Sequence, residues 1–118
     1  MRAKDAVGRY GERVAAAHLV ASGWEVLDRN WRGPSGELDI VAMDGADLVV
    51  VEVKTRSGDG FGHPAEAVTA RKLARLRRLT AQWLAAHEVR PAGVRIDVVA
   101  VRTSRAGAAT VEHLVGVA

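Results

Sequence analysis

The chain has 118 residues, with 17 Lys and Arg against 14 Asp and Glu for a formal charge of +3, and no cysteine. That length supports one real core and excludes two, while the missing thiols exclude disulfides and thiolate-bound zinc and fit a reducing cytoplasm. No apolar run reaches membrane-spanning length and the first twenty residues are too charged to read as a signal peptide, so the expectation is one cytoplasmic domain over 1–118 without a membrane partner. The positive balance permits a nucleic-acid partner without requiring one.

In chain order, "KDAVGRYGERVAAAHLVASG" reads as a helix stopped at Gly23, followed by a strand in "WEVLDRNWR" and a turn at "GPSG". "ELDIVAM" and "LVVVEVKTR" form two strands joined by "DGAD", a hairpin signal. "SGDGFGHP" is a glycine-rich loop, and "AVTARKLARLRRLTAQWLAAH" is a helix with a strong apolar stripe. "VRIDVVAVR" and "TVEHLVGV" close the chain as strands around "SRAGA". The order α-β-β-β-α-β-β predicts an α+β fold of three-layer type, a central mixed sheet flanked by helices.

The hairpin concentrates charge. A turn that sets Asp44 opposite Asp47 carries Asp39 opposite Glu52 and Glu37 opposite Lys54. Side chains alternate along strands, so Glu37, Asp39, Glu52 and Lys54 are expected on one face, with Leu38, Ile40, Ala42, Val49, Val51 and Val53 on the other. An E-x-K on the wet face of an ordinary strand is commonplace. Facing carboxylates, however, repel unless something neutralises them, and a hard divalent cation such as Mg²⁺ would. The neighbouring lysine could then hold or deprotonate a water.

Both helices bring charge toward apolar faces. Lys72 shares a stripe with Val68, Leu76, Leu79 and Trp83, so it must snorkel out or meet something negative. Arg71, Arg75 and Arg78 form a neighbouring column, either a solvated flank or a ridge for phosphates. Glu12 lies among Ala15, Ala16 and Leu19, beside Arg9 and Arg13, and by itself reads as an exposed glutamate pairing with those arginines. His18, His63, His87 and His113 form no metal-ligand spacing. Trp24, Trp31 and Trp83 read as core anchors, and Asp97 reads as structural, on the same face as Arg95.

Together, Gly11-Glu12, "RNWR", Gly36-Glu37-Leu38-Asp39, Val51-Glu52-Val53-Lys54-Thr55-Arg56 and "PAEAV" leading into a helix with Lys72 closely resemble the YraN-like family of small bacterial proteins predicted to be nucleases. That family is similar to the PD-(D/E)xK nuclease superfamily, most of all to its archaeal Holliday-junction-resolvase branch, whose restriction-endonuclease-like core is α-β-β-β-α-β. The resemblance implies catalytic roles for Glu12, Asp39, Glu52 and Lys54. It implies Mg²⁺ or Mn²⁺ held by Asp39, Glu52 and the Val53 backbone carbonyl, with Glu12 reaching in directly or through water. Lys72 and Arg56 would steady the phosphate, Arg71, Arg75 and Arg78 would grip its neighbours, and Glu37 would partner Lys54. The motif's proline is absent, Leu38 preceding Asp39.

The expected activity is metal-dependent hydrolysis of DNA phosphodiester bonds, with branched DNA as one substrate class. A symmetric dimer, typical of the resolvase relatives, would suit two-strand cleavage. The alternatives are a non-catalytic nucleic-acid-binding module on the same fold, and a protein-interaction domain whose acids merely pair with its arginines.

Overall fold

A computed structural model describes residues 5–57, 68–105 and 107–117. The glycine-rich loop beyond Ser57, with His63, lies outside them. Helix α1 spans Ala6–Ala21, begins where the Asp5 side chain accepts the Gly8 N–H at 2.7 Å, and is followed by Gly23 with a φ of 88°. Three strands follow: β1 (Glu25–Gly33), β2 (Gly36–Asp44) and β3 (Asp47–Ser57). Helix α2 (Ala70–Ala86) is capped by Thr69, whose hydroxyl accepts the Lys72 N–H at 3.1 Å. Strands β4 (Gly93–Thr103) and β5 (Thr110–Leu114) complete the order.

The five strands lie in sequence order in one mixed sheet. Neighbours are antiparallel except β3 and β4, which run parallel from Asp47–Gly93 to Ser57–Thr103. A parallel pair needs a crossover connection, and α2 supplies it. Helices cover both faces. Ala15 and Leu19 of α1 pack on Ile40, Ala42, Val49, Val51, Val99 and Val101. Leu76, Leu79 and Trp83 of α2 pack on Leu38, Val41, Leu48, Val50 and Ile96. Trp83 is buried, its Nε1 donating to Asp28 Oδ2 at 3.0 Å, so this tryptophan is a core anchor. Trp24 and Trp31 are half-buried at the edges of the two clusters.

The hairpin register is the predicted one where it is formed, from Asp44–Asp47 to Ile40–Val51. The expected face of β2 needs correction, because Leu38 packs under α2 while Ile40 and Ala42 pack under α1. Two residues apart on a regular strand share a face, so the pleat changes phase between Leu38 and Ile40. The neighbouring strand β1 is irregular too, its register shifting between Val26 and Asp28. Arg29 pairs with Ile40 and Trp31 with Leu38, and the intervening Asn30 has a φ of 54°. Asparagine tolerates that left-handed conformation better than most residues, and Asn30 sits across from Asp39.

Asp97 of β4 is fully buried and satisfied. Its Oδ1 accepts from Arg95 Nε at 3.1 Å and from the Gly116 N–H at 2.9 Å, and its Oδ2 lies 2.8 Å from His113 Nε2. The structural reading of Asp97 therefore holds, and its role is to tie the C-terminal segment to the central sheet.

Candidate functional site

The phase change aims Asp39 across the sheet. Its Oδ2 accepts the Val53 N–H at 2.9 Å, a donor that a continued ladder would give to a β2 carbonyl. Strands β2 and β3 thus part beyond the Ile40–Val51 pair, and the expected backbone pairings of Asp39 with Glu52 and Glu37 with Lys54 do not form. On a β-strand the N–H and C=O of one residue point the same way, so the Val53 carbonyl also faces the opening.

That opening is a cavity of about 730 Å³ lined by Glu12 of α1, Asp39 of β2, Glu52, Val53, Lys54 and Arg56 of β3, and Lys72 and Arg75 of α2. Sequence-distant elements therefore bring the acids and lysines of the sequence analysis to one place. Arg71 and Arg78 do not line it and lie exposed elsewhere on α2. Glu12 is buried at 3% exposure, which corrects its reading as an exposed glutamate. Glu37 reaches the cavity, but its carboxylate lies 3.9 Å from Arg32, a cavity residue that sequence reasoning passed over. Arg32 pairs with Glu37 across β1 and β2. The clue was the "RNWR" strand facing "GELD" across the "GPSG" turn.

The cluster at the centre is Glu52, Lys54 and Lys72. Lys72 Nζ makes a direct ion pair with Glu52 Oε2, so the lysine on the apolar stripe does meet an acid. Burial raises the Glu52 carboxyl above its ordinary value and the Asp39 charge adds to this, while the hydrogen bond and charge of Lys72 and the charge of Lys54 oppose it. Lys54 is pushed below an ordinary lysine, by burial first and then by the hydrogen bond and charge of Lys72. Burial also works against charge on Lys72, but its hydrogen bonds to Glu52 and Lys54 and the nearby acid charges outweigh it and raise the net value. The two ammonium groups are thus driven apart: Lys72 holds its proton and Lys54 gives its proton up more easily. Neighbouring groups so separated are suited to opposite acid and base roles.

Among the described residues no three His, Cys, Asp or Glu side chains converge to hold a metal. Mg²⁺ seldom needs three, since it keeps several waters and takes one or two carboxylates. Asp39, Glu52 and the Val53 carbonyl are hard oxygen donors of that kind, and the repulsion between two acids in one cavity is what a cation relieves. The donor set fits.

Gly11 sets the depth of α1. A Cβ at Gly11 would come within 2.8 Å of Thr55 Cβ, so only glycine lets the helix sit this close to β3 and place Glu12 in the cavity wall. Gly11→Ala is expected to destabilise by roughly 1–3 kcal/mol, the usual range for overpacking, as measured by urea denaturation.

Residues 11–101 match the family described as Uncharacterised protein family UPF0102. The chain belongs to UPF0102. A UPF0102 protein of Beutenbergia cavernae is 68% identical over 117 residues, covering 99% of each chain. One from Frankia alni is 61% identical over 98% of this chain and 97% of its own, and one from Streptomyces coelicolor is 55% identical over 100% and 92%. The span matched to UPF0102 contains every cavity acid and lysine named above and ends before β5. No helix among the described residues of this UPF0102 chain is long and apolar enough to cross a membrane.

Proposed function

We propose that this UPF0102 protein is a metal-dependent endonuclease that hydrolyses DNA phosphodiester bonds, with branched DNA among its candidate substrates. The observation that carries the reading is the juxtaposition, in one open cavity, of an acid pair with two lysines of opposed proton affinity, beside Arg32, Arg56 and Arg75. Asp39, Glu52 and the Val53 carbonyl would hold Mg²⁺ or Mn²⁺, with Glu12 beside them. Such an ion, when bound, polarises a phosphate and makes nearby water more acidic.

The chain's own groups then divide the remaining work. Lys54, the lysine that loses its proton more readily, takes or orients the proton of the attacking water at Nζ. Lys72 stays charged and stabilises the negative charge that develops on the phosphate oxygens. Arg56 and Arg75 hold the phosphate at the cavity wall, and Arg71 and Arg78 extend the contact to neighbouring phosphates along α2. A symmetric homodimer would present two such cavities to two strands.

One observation favours a second reading, a non-catalytic nucleic-acid-binding module: the Lys72–Glu52 ion pair already neutralises part of the acid cluster. The test is incubation with labelled junction, flap, duplex and single-stranded DNA in Mn²⁺ or in EDTA. The nuclease reading predicts products in Mn²⁺ and none in EDTA. Binding without cutting, weakening steeply with salt as phosphate contacts do, would favour the module. Binding to none of them would favour a protein-interaction domain.

A further inference from the structure

The Lys72–Glu52 contact has an unusual position for an ion pair. Its lysine lies on the apolar stripe of α2, with its side chain 19% exposed, and its acid is 10% exposed. The backbone of Lys72 is fixed by the Thr69 cap, so the side chain is delivered to this place by the first turn of the helix. The acid it meets lines the same cavity as Asp39, where the strands part. The attraction within such a pair is larger than at the surface because the local dielectric is lower, and removing one partner leaves the other's desolvation uncompensated.

Resting on the nuclease reading above, we propose that Lys72 is the built-in counter-ion of the acid pair, and that its ammonium and a divalent cation compete for the Glu52 carboxylate. Without the cation, Lys72 offsets the repulsion between Glu52 and Asp39 and keeps the cavity formed. With it, Glu52 turns its charge to the ion and the ammonium is released at the cavity wall, where it can meet a phosphate. The two binding events then assist one another, because each favours the arrangement the other needs. Such an exchange gives Lys72 a positioning role in addition to its contact with substrate. It also keeps the acid pair neutralised in both states.

The experiment is titration of Mn²⁺ into the full-length protein without DNA, followed by electron paramagnetic resonance, for wild type, Lys72→Met and Lys72→Arg. Thermal unfolding of each in EDTA and in Mn²⁺ runs in parallel. Lys72→Met, having lost the competing charge, is expected to bind Mn²⁺ about tenfold more tightly, a modest value for a close charge pair. It is also expected to melt lower in EDTA and to gain more from Mn²⁺ than wild type does. Lys72→Arg keeps a cation in place and should stay near wild-type affinity, which controls for a methionine variant that folds poorly. Equal or weaker Mn²⁺ binding by a folded Lys72→Met protein would overturn the counter-ion role and leave the nuclease reading standing. If none of the three proteins binds Mn²⁺, the metal-dependent reading fails, and the inference falls with it.

Discussion

Replacing Asp97 by alanine is expected to lower the unfolding free energy by roughly 3 kcal/mol, the scale for stripping one partner from a buried charged network. The carboxylate is fully buried, and the loss does not fall evenly on its partners. Arg95 keeps Asp44 at 2.9 Å and Asp47 at 3.8 Å, so its charge remains compensated. His113 and the Gly116 N–H lose a partner they met at 2.8 and 2.9 Å, and both belong to the segment carrying β5 and the chain beyond it. That segment should loosen first. Asp97→Asn keeps an acceptor for the Gly116 N–H and is expected to lose less. Urea denaturation of the three proteins measures this, and a loss under about 1 kcal/mol for alanine, no more than an ordinary hydrogen bond, would contradict the account. Against a typical total of about 5–15 kcal/mol, the predicted loss is large.

Lys54→Ala is expected to slow cleavage by about 100-fold or more, the lower end of what a positioned acid–base group contributes. Lys54→Arg is expected to fail nearly as badly, because a guanidinium does not give up its proton in this range. The pH dependence follows from the environment of the lysine. Burial and the neighbouring Lys72 push the Lys54 ammonium below an ordinary lysine, so the neutral amine accumulates earlier as pH rises. The cleavage rate should therefore climb with pH and level off below the usual lysine range. Stability carries the same sign. Between the lowered folded value and the ordinary unfolded one, the unfolded chain holds the proton and the folded chain does not, so the Lys54 contribution to stability rises with pH across that window. A Lys54→Arg protein that cuts at the wild-type rate would remove Lys54 from the base role.

Much of this arrangement was legible in local pattern. The order of seven elements followed from apolar periodicity and glycine or proline breaks, and "DGAD" set the hairpin register that pairs Ile40 with Val51. Lys72 declared itself because a lysine on an apolar helical stripe needs an acid, and the structure supplies Glu52. The failures have a common origin in contacts between remote segments. Strict alternation put Leu38 beside Ile40, whereas the two pack on opposite faces of the sheet, next to a left-handed Asn30 on the neighbouring strand. The β2–β3 ladder parts at the same place: Asp39 bonds the Val53 N–H and the backbone pairing with Glu52 does not form. Glu12 looked exposed from its helical neighbours because the close approach of Gly11 to Thr55 cannot be read from α1 alone. Arg32 and the Asp97–His113 contact were missed for the same reason: each partner is ordinary until a second segment is laid against it.

A metal-dependent cleavage assay of wild type beside Asp39→Ala decides whether the acid–lysine cavity cuts DNA. Asp39 bridges the parted strands, so the variant must first be shown to be folded by circular dichroism. Equal amounts, purified in parallel, are then given the same labelled junction and flap DNAs in Mn²⁺. Wild type is expected to cleave and the folded variant is not, a difference that also excludes a contaminating nuclease. Equal cleavage by both proteins, or none by either on any DNA, would contradict the proposed nuclease function.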